Sequence, residues 1–241
     1  MNPLLPESLI RAVREAGRAC PSGVAAFDAD GTLWREDVGE AFLKHLIARG
    51  LVKLAGGADP YQRYEELCAQ DRAIGFAFCA QVQAGLHREQ LEQVARDFAK
   101  DWIPSRLIAS TQALLALCRE SNLIPQVVSA SPIEIVRAAA PLAGLPLGSL
   151  IGMSVEVDAS GVLTDRIAPP IIYAEGKVES LRLRGLHPIA LACGDSVHGD
   201  LAMLRAARVA VVVAPESGSA LATEGHRRGW AILSPNGLAQ Q

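Results

Sequence analysis

The sequence predicts an α/β fold, a parallel sheet covered on both faces by helices, with a helical block inserted after the first strand. Short apolar runs at 24–28, 124–129, 189–193 and 209–213 read as buried strands, and they alternate with segments of helical character. From Val38 to Trp102 the chain turns rich in Ala, Gln, Glu, Leu and Arg with no β-branched run, which reads as several helices. The chain has 241 residues, 50% of them hydrophobic, enough for one α/β domain with a sizeable insert and a real core.

Taken in order, residues 7–19 form an amphipathic helix with Ile10, Val13 and Ala16 on one face. Val24–Asp28 is the first strand, flanked by Gly23 and Gly31. Gly56–Gly57, Asp59–Pro60 and Gly85 punctuate the helical block, and Pro104 marks its end. Ser105–Glu120 reads as a helix and Ile124–Ser129 as a strand. Ser131, Pro132 and Glu134 then predict a capping box on a proline start, with serine at the N-cap, proline at N1 and glutamate at N3. Leu150–Val157 reads as a strand that Gly161 turns into a hairpin with Val162–Ile167. Lys177–Arg184 reads as a helix stopped by Gly185. Ile189–Cys193, Val209–Val213 and Ala231–Leu233 complete the strands.

Several function classes fall away. The net charge of −3 offers no nucleic-acid footprint. No apolar run approaches the ~18 residues of a membrane span. Pro3, Pro6 and Glu7 interrupt any signal-peptide pattern. The five cysteines are scattered without CxxC pairing and read as reduced thiols of a cytoplasmic protein rather than a disulfide or zinc framework.

The chemistry concentrates in Gly23–Trp34, GVAAFDADGTLW, where a buried strand ends in two aspartates. Residues i and i+2 of an extended chain share a face, so Asp28 and Asp30 project together into the crevice where open α/β sheets bind ligands. Two carboxylates that close repel, so the pair calls for a cation or for one shared proton. Oxygen ligands suit Mg²⁺, and unequal roles suit a nucleophile beside an acid. The same residues also fit a plain Asp-Gly turn. Ser129 ends the next strand in a hydroxyl, ahead of a helix whose free N–H groups could cradle phosphate. Lys177 sits at a helix start, where its charge opposes the dipole, or else is a solvated surface lysine. Gly194-Asp195-Ser196-Val197-His198-Gly199-Asp200 brings further acids after a buried strand, with Asp200 also placed to cap the following helix.

These four stretches, in this order, resemble the haloacid dehalogenase superfamily of phosphotransferases. The motifs are Asp28-x-Asp30-Gly31-Thr32, Ser129 after its strand, Lys177, and Gly194-Asp195 with Asp200. The resemblance implies a Rossmann-like three-layer catalytic core over residues 1–37 and 105–241, under a mobile helical class I cap over 38–104. It is strongest to the phosphoserine phosphatase and phosphorylcholine phosphatase group, and it implies a Mg²⁺-dependent phosphomonoester hydrolase. Asp28 would be the nucleophile that forms an aspartyl-phosphate, and Asp30 the acid and then the base. Thr32 would orient the loop, while Ser129, with Ala130 beside it, and Lys177 would hold the phosphoryl group. Asp28, Asp195 and the Asp30 carbonyl would bind the metal, with Asp200 supporting it directly or through water. Motif two reads Ser-Ala-Ser, which leans toward the phosphorylcholine-type relatives, and Asp200 falls one residue beyond the usual phosphoserine phosphatase spacing. Asp30 separates phosphoester chemistry from dehalogenation, which needs no acid there. Phosphotransfer to an acceptor other than water stays open, as does a non-catalytic phosphate-binding protein on this fold.

The expected substrate is a small phosphorylated metabolite carrying an amine, with phosphoserine, phosphocholine and phosphoethanolamine as candidates. Asp37 lies close to the family's amine-binding acid and Arg72 close to its carboxylate-binding arginine, both by approximate position. Choline would instead call for an aromatic cage, with Trp34 and Tyr64 as the available rings.

Overall fold

In the computed structural model, which describes residues 4–214 and 218–235, the eight strands fall into two sheets. The larger has six strands in the order β3-β2-β1-β6-β7-β8, comprising β3 (Leu150–Met153), β2 (Ile124–Pro132), β1 (Val24–Phe27), β6 (Ile189–Gly194), β7 (Val209–Val213) and β8 (Ala231–Leu233). β1 pairs in parallel with β2 and β6, β6 with β7, and β7 with β8. Helices flank the sheet, as a parallel sheet requires, because its crossovers must run over its faces. The smaller sheet is the antiparallel hairpin of β4 (Val155–Val157) and β5 (Leu163–Ile167).

The chain divides into two compact units. The first comprises Met1–Glu36, Arg106–Val128 and Ala174–Gln241. It holds β1, β6, β7 and β8, with α1 (Glu7–Ala19), α6 (Ala109–Glu120), α8 (Glu175–Leu183), α9 (Leu201–Ala206) and α10 (Ala220–Arg228). Every residue of β1 and β6 is buried, which is why these strands show no polar alternation in the sequence. Gly17 of α1 lies against the Ser121 carbonyl, in a space that a Cβ would fill.

The second unit comprises Asp37–Ser105 and Ser129–Tyr173. It holds α2 (Val38–Ala48), α3 (Pro60–Gln70), α4 (Arg72–Gln81), α5 (Arg88–Trp102) and α7 (Ile133–Ala139), together with β3 and the hairpin. Asp37, Asp59 and Asp71 cap α2, α3 and α4 by accepting from first-turn N–H groups.

The structure departs from the sequence reading at three element boundaries. α6 begins at Ala109 rather than Ser105, because Leu107 bridges Trp34 and Ile108 N–H donates to the Leu33 carbonyl. The 150–157 strand is broken at Ser154, whose hydroxyl donates to the Gly152 carbonyl. The capping box does not form. Pro132 keeps an extended ψ of 137°, as its predecessor Ser131 does within β2, so α7 starts at Ile133 with no side-chain cap.

Glu134 therefore does not cap but is buried, at 2% exposure. Its Oε1 has no hydrogen-bond partner, and the Arg88 Nε stands 4.0 Å away. Burial raises its pKa above the ordinary glutamate value, against the pull of Arg88 and Arg137. A carboxyl whose folded pKa is raised binds its proton more tightly folded than unfolded. Its contribution to stability is thus lost as pH rises from the unfolded value through the folded one. Glu134→Gln should flatten this part of the pH–stability curve and leave the protein at least as stable at neutral pH. Urea denaturation between pH 4 and 8 checks it, and a variant that loses stability most at the high end would contradict the assignment.

Candidate active site

The site grows from the ends of two neighbouring strands. Phe27 of β1 is in register with Cys193 of β6, and Asp28 N–H donates to the Cys193 carbonyl at 2.9 Å. The loops after β1 and after β6 thus leave the sheet side by side, at the carboxyl ends where open α/β sheets hold ligands. Gly31, at φ +76°, allows the sharp turn, and a Cβ there would lie 2.2 Å from Asp195 Oδ2. Only glycine lets the two loops approach this closely.

Asp28, Asp195 and Asp200 each offer a carboxylate oxygen to one cluster, with these atoms within 4.8 Å of one another. Lys177, 2% exposed, reaches into it from α8, with Nζ 2.5 Å from Asp28 Oδ1 and 2.7 Å from Asp200 Oδ1. It is not a solvated surface lysine. Asp200 Oδ2 accepts from the backbone N–H groups of Asp195 and Ser196 at 3.1 and 2.9 Å. Asp200 therefore makes no side-chain cap for α9, and instead folds its own loop and fixes the lysine. Thr32 is fully buried, and its hydroxyl lies 3.4 Å from both Asp28 Oδ2 and Asp195 Oδ1. With one proton it donates to only one of them at a time. The Thr32 carbonyl accepts from the Thr111 hydroxyl at 2.8 Å, tying the loop to α6.

The electrostatics follow from burial and crowding. Burial and the neighbouring Asp200 raise the Asp28 pKa well above the aspartate range, with Lys177 pulling it back. Burial and Asp200 likewise push Asp195 up to about 7. Burial lowers the Lys177 pKa, but Asp200 and Asp28 outweigh it and hold the ammonium charged. The three carboxylates and one ammonium leave a site short of positive charge.

Asp30 is half-buried, and its Oδ1 accepts from the Trp34 indole N–H at 2.8 Å. The sequence reading treated Trp34 as a ring for choline, whereas its side chain is fully buried. A buried indole N–H needs an acceptor, and an aspartate four residues away was the signal for one. Tyr64 is also buried, at 5% exposure. His198 is exposed.

The other expected residues belong to the second unit. Ser129 is fully buried, with its hydroxyl oxygen accepting from Ser131 N–H at 3.0 Å, and Ala130 is half-buried beside it. Asp37 Oδ1 accepts from Glu40 N–H at 2.8 Å as the cap of α2. Arg72 is exposed in the first turn of α4. All five cysteines are free thiols. Among the described residues, no helix is long and apolar enough to cross a membrane.

No curated protein sequence matches the chain. Among solved structures, a protein of unknown function from Bordetella pertussis Tohama I superposes with a TM-score of 0.74 at 21% identity, covering 90% of this chain and 100% of that one. A phosphoserine phosphohydrolase-like protein from Francisella tularensis matches with a TM-score of 0.58 at 12% identity, over 87% of this chain and 94% of that one. A phosphoserine phosphatase solved as a phospho-aspartyl intermediate analogue matches with a TM-score of 0.54 at 15% identity, over 90% and 95%. At these identities the likeness is one of fold. The sequence pattern of haloacid dehalogenase-like hydrolases matches residues 25–205, a span that runs from β1 through the whole acidic cluster, and the chain belongs to that family.

Proposed function

We propose that the protein is a phosphomonoester hydrolase that works through an aspartyl-phosphate on Asp28. The observation that carries this reading is the buried Asp28–Lys177–Asp200 arrangement beside Asp195, with a second acid, Asp30, two residues on. Phosphatases need an acid at that place to protonate an ester oxygen.

The donor set suits a hard divalent cation such as Mg²⁺. It consists of carboxylate oxygens from Asp28, Asp195 and Asp200, and its negative charge exceeds what Lys177 neutralises. Asp28, Asp195 and the Asp30 carbonyl would hold the ion, with Asp200 behind them. When bound, the ion offsets the repulsion between a carboxylate and a phosphate dianion, about 8 kcal/mol at ~4 Å and an effective dielectric near 20.

The residues divide the chemistry as follows. An Asp28 carboxylate oxygen attacks phosphorus as the bond to the ester oxygen breaks. The Asp30 carboxyl gives its proton to the departing alkoxide. Asp30, now a carboxylate, takes a proton from water, whose oxygen attacks the aspartyl-phosphate and releases Asp28 and inorganic phosphate. Lys177 holds charge against the phosphoryl oxygens, Thr32 steadies the loop, and Ser129 with Ala130 contributes a phosphate cradle from β2.

The substrate is a small phosphorylated metabolite, with phosphoserine foremost and phosphocholine or phosphoethanolamine as the second reading. The exposed Arg72 guanidinium supports a carboxylate handle. Asp37 is the weaker candidate for the amine, because one of its oxygens caps α2.

Four outcomes test this reading. Asp28→Asn should lower turnover of p-nitrophenyl phosphate by a factor on the order of 10³ or more with the fold intact, as judged by circular dichroism. Substantial residual activity would remove Asp28 from the nucleophile role. EDTA should abolish turnover and Mg²⁺ restore it. At about 100 times its Kd, the ion should add about 2.7 kcal/mol of stability, roughly 5–10 °C in Tm for a chain of this size. Asp195→Asn should erase most of that rise, and an undiminished rise would place the ion elsewhere. Arg72→Ala should lower kcat/KM for phosphoserine about tenfold, ~1.4 kcal/mol, while sparing p-nitrophenyl phosphate. Equal losses on both would mean that Arg72 serves the fold.

A further inference from the structure

The second unit holds a cavity that the phosphatase chemistry does not use. α5 carries Arg88, Glu92, Arg96 and Lys100 at every fourth position, which puts them on one face, and α7 packs against this helix. Two contacts show that this face meets α7. Arg88 Nε stands 4.0 Å from Glu134 Oε1, and Arg137 donates to Glu92 Oε1 at 3.4 Å. Arg96 lies 3.8 Å from the other Glu92 oxygen. Between α5, α7 and the turns that follow α7 lies a cavity of about 590 Å³, the size of a small-molecule site. Arg96, Lys100 and Arg137 bring three cations to its wall, and Glu92 and Glu134 bring two acids. Pro141, Leu142 and Leu147 form an apolar side, with Leu142 40% and Leu147 65% exposed.

Glu134 is the residue that points to a ligand. It lines the cavity from α7 and is 2% exposed, yet its Oε1 has no hydrogen-bond partner. The Arg88 Nε, itself buried and without a hydrogen bond, is too far away to supply one. Buried polar atoms in folded chains are nearly always partnered.

We propose that this cavity binds a zwitterionic amino acid with a bulky apolar side chain. The ligand's ammonium would supply the donor that Glu134 Oε1 lacks, as a charge-assisted hydrogen bond. The three cations outnumber Glu92, the acid that Arg96 and Arg137 share, so the same cavity favours a negative group. Glu134 and Arg137 lie three residues apart on α7 and share a face. Their opposite preferences therefore stand side by side, as the ammonium and carboxylate of an amino acid do. Arg137 has further N–H donors beyond the one given to Glu92. The ligand's side chain would cover Pro141, Leu142 and Leu147, adding apolar burial. Simpler ligands fit less well. A bare anion leaves Glu134 without a donor, a metal ion or polyamine meets three cations, and a hydrocarbon leaves every charge unmet.

Isothermal titration calorimetry on the intact chain, with L-leucine and L-phenylalanine as probes, is the test. At least one of the two should bind at one site per chain with a Kd below about 1 mM. For the tighter of the two, the deaminated acid and the primary amide lack the ammonium and the carboxylate in turn. Each should bind about tenfold more weakly or worse, the scale of a lost hydrogen bond to a charged group. Glu134→Gln, which removes the charge, and Arg137→Ala should each weaken binding of the amino acid by a similar factor, with the fold checked by circular dichroism. Should a variant fail to fold, the two analogues on the wild-type chain carry the test. No saturable heat from either amino acid at concentrations tenfold above that Kd would overturn the assignment. So would undiminished binding of either analogue, or an affinity unchanged in either variant. The readout is binding rather than turnover, so the outcome does not depend on the phosphatase reading.

Discussion

The buried ammonium of Lys177 is the constraint on which the site depends. An isolated charge at 2% exposure costs several kcal/mol in lost hydration, and it persists only because Asp28 and Asp200 contact it at 2.5 and 2.7 Å. Removing both carboxylates would leave an uncompensated buried charge, whereas either one alone still pairs with the ammonium. The lysine therefore ties three separate segments into one arrangement, the loop after β1, the start of α8 and the loop after β6. Because Lys177 comes from a helix start, α8 must begin close to the strand ends. Ala174, just before it, takes φ +48°, an unfavourable value for a residue with a side chain.

Asp200 extends this constraint to the backbone. One oxygen neutralises the lysine and the other accepts from two N–H groups of its own loop, so the position of Asp195 follows from that of Asp200. The two glycines complete the arrangement by absence of bulk. A Cβ on Gly31 would strike Asp195, and one on Gly194 would lie 2.6 Å from Asp200 Cβ. The carboxylates can crowd together only because the backbone beside them carries no side chain. Burial, with the crowding added to it, explains why Asp28 and Asp195 are pushed toward the protonated form, and the crowding explains why the cluster suits a divalent cation.

Much of this was legible in the sequence where chemistry and local geometry coincide. Uninterrupted apolar runs marked β1, β6 and β7, and the Asp28-x-Asp30-Gly31-Thr32 run marked a strand that ends in a turn. What could not be read depended on partners distant along the chain. The sequence offers a capping box at Ser131–Glu134, but Pro132 stays extended at the end of β2 and Glu134 is buried instead. It offers a helix from Ser105, but residues 107–108 pair with the loop after β1. The Trp34 ring looked available for a ligand because its burial depends on that same pairing. Asp200 likewise looked like a helix cap, because nothing local reveals a lysine 23 residues earlier on its other oxygen.

The central claim is that Asp28 becomes covalently phosphorylated. The direct measurement is to mix enzyme with substrate in the presence of Mg²⁺, quench in acid within a single turnover, and map the modified peptide by mass spectrometry. The account predicts an acid-stable, base-labile acyl phosphate on Asp28 that disappears as inorganic phosphate accumulates. A phosphoryl group on any other residue, or turnover with no phosphoenzyme at any quench time, would contradict it.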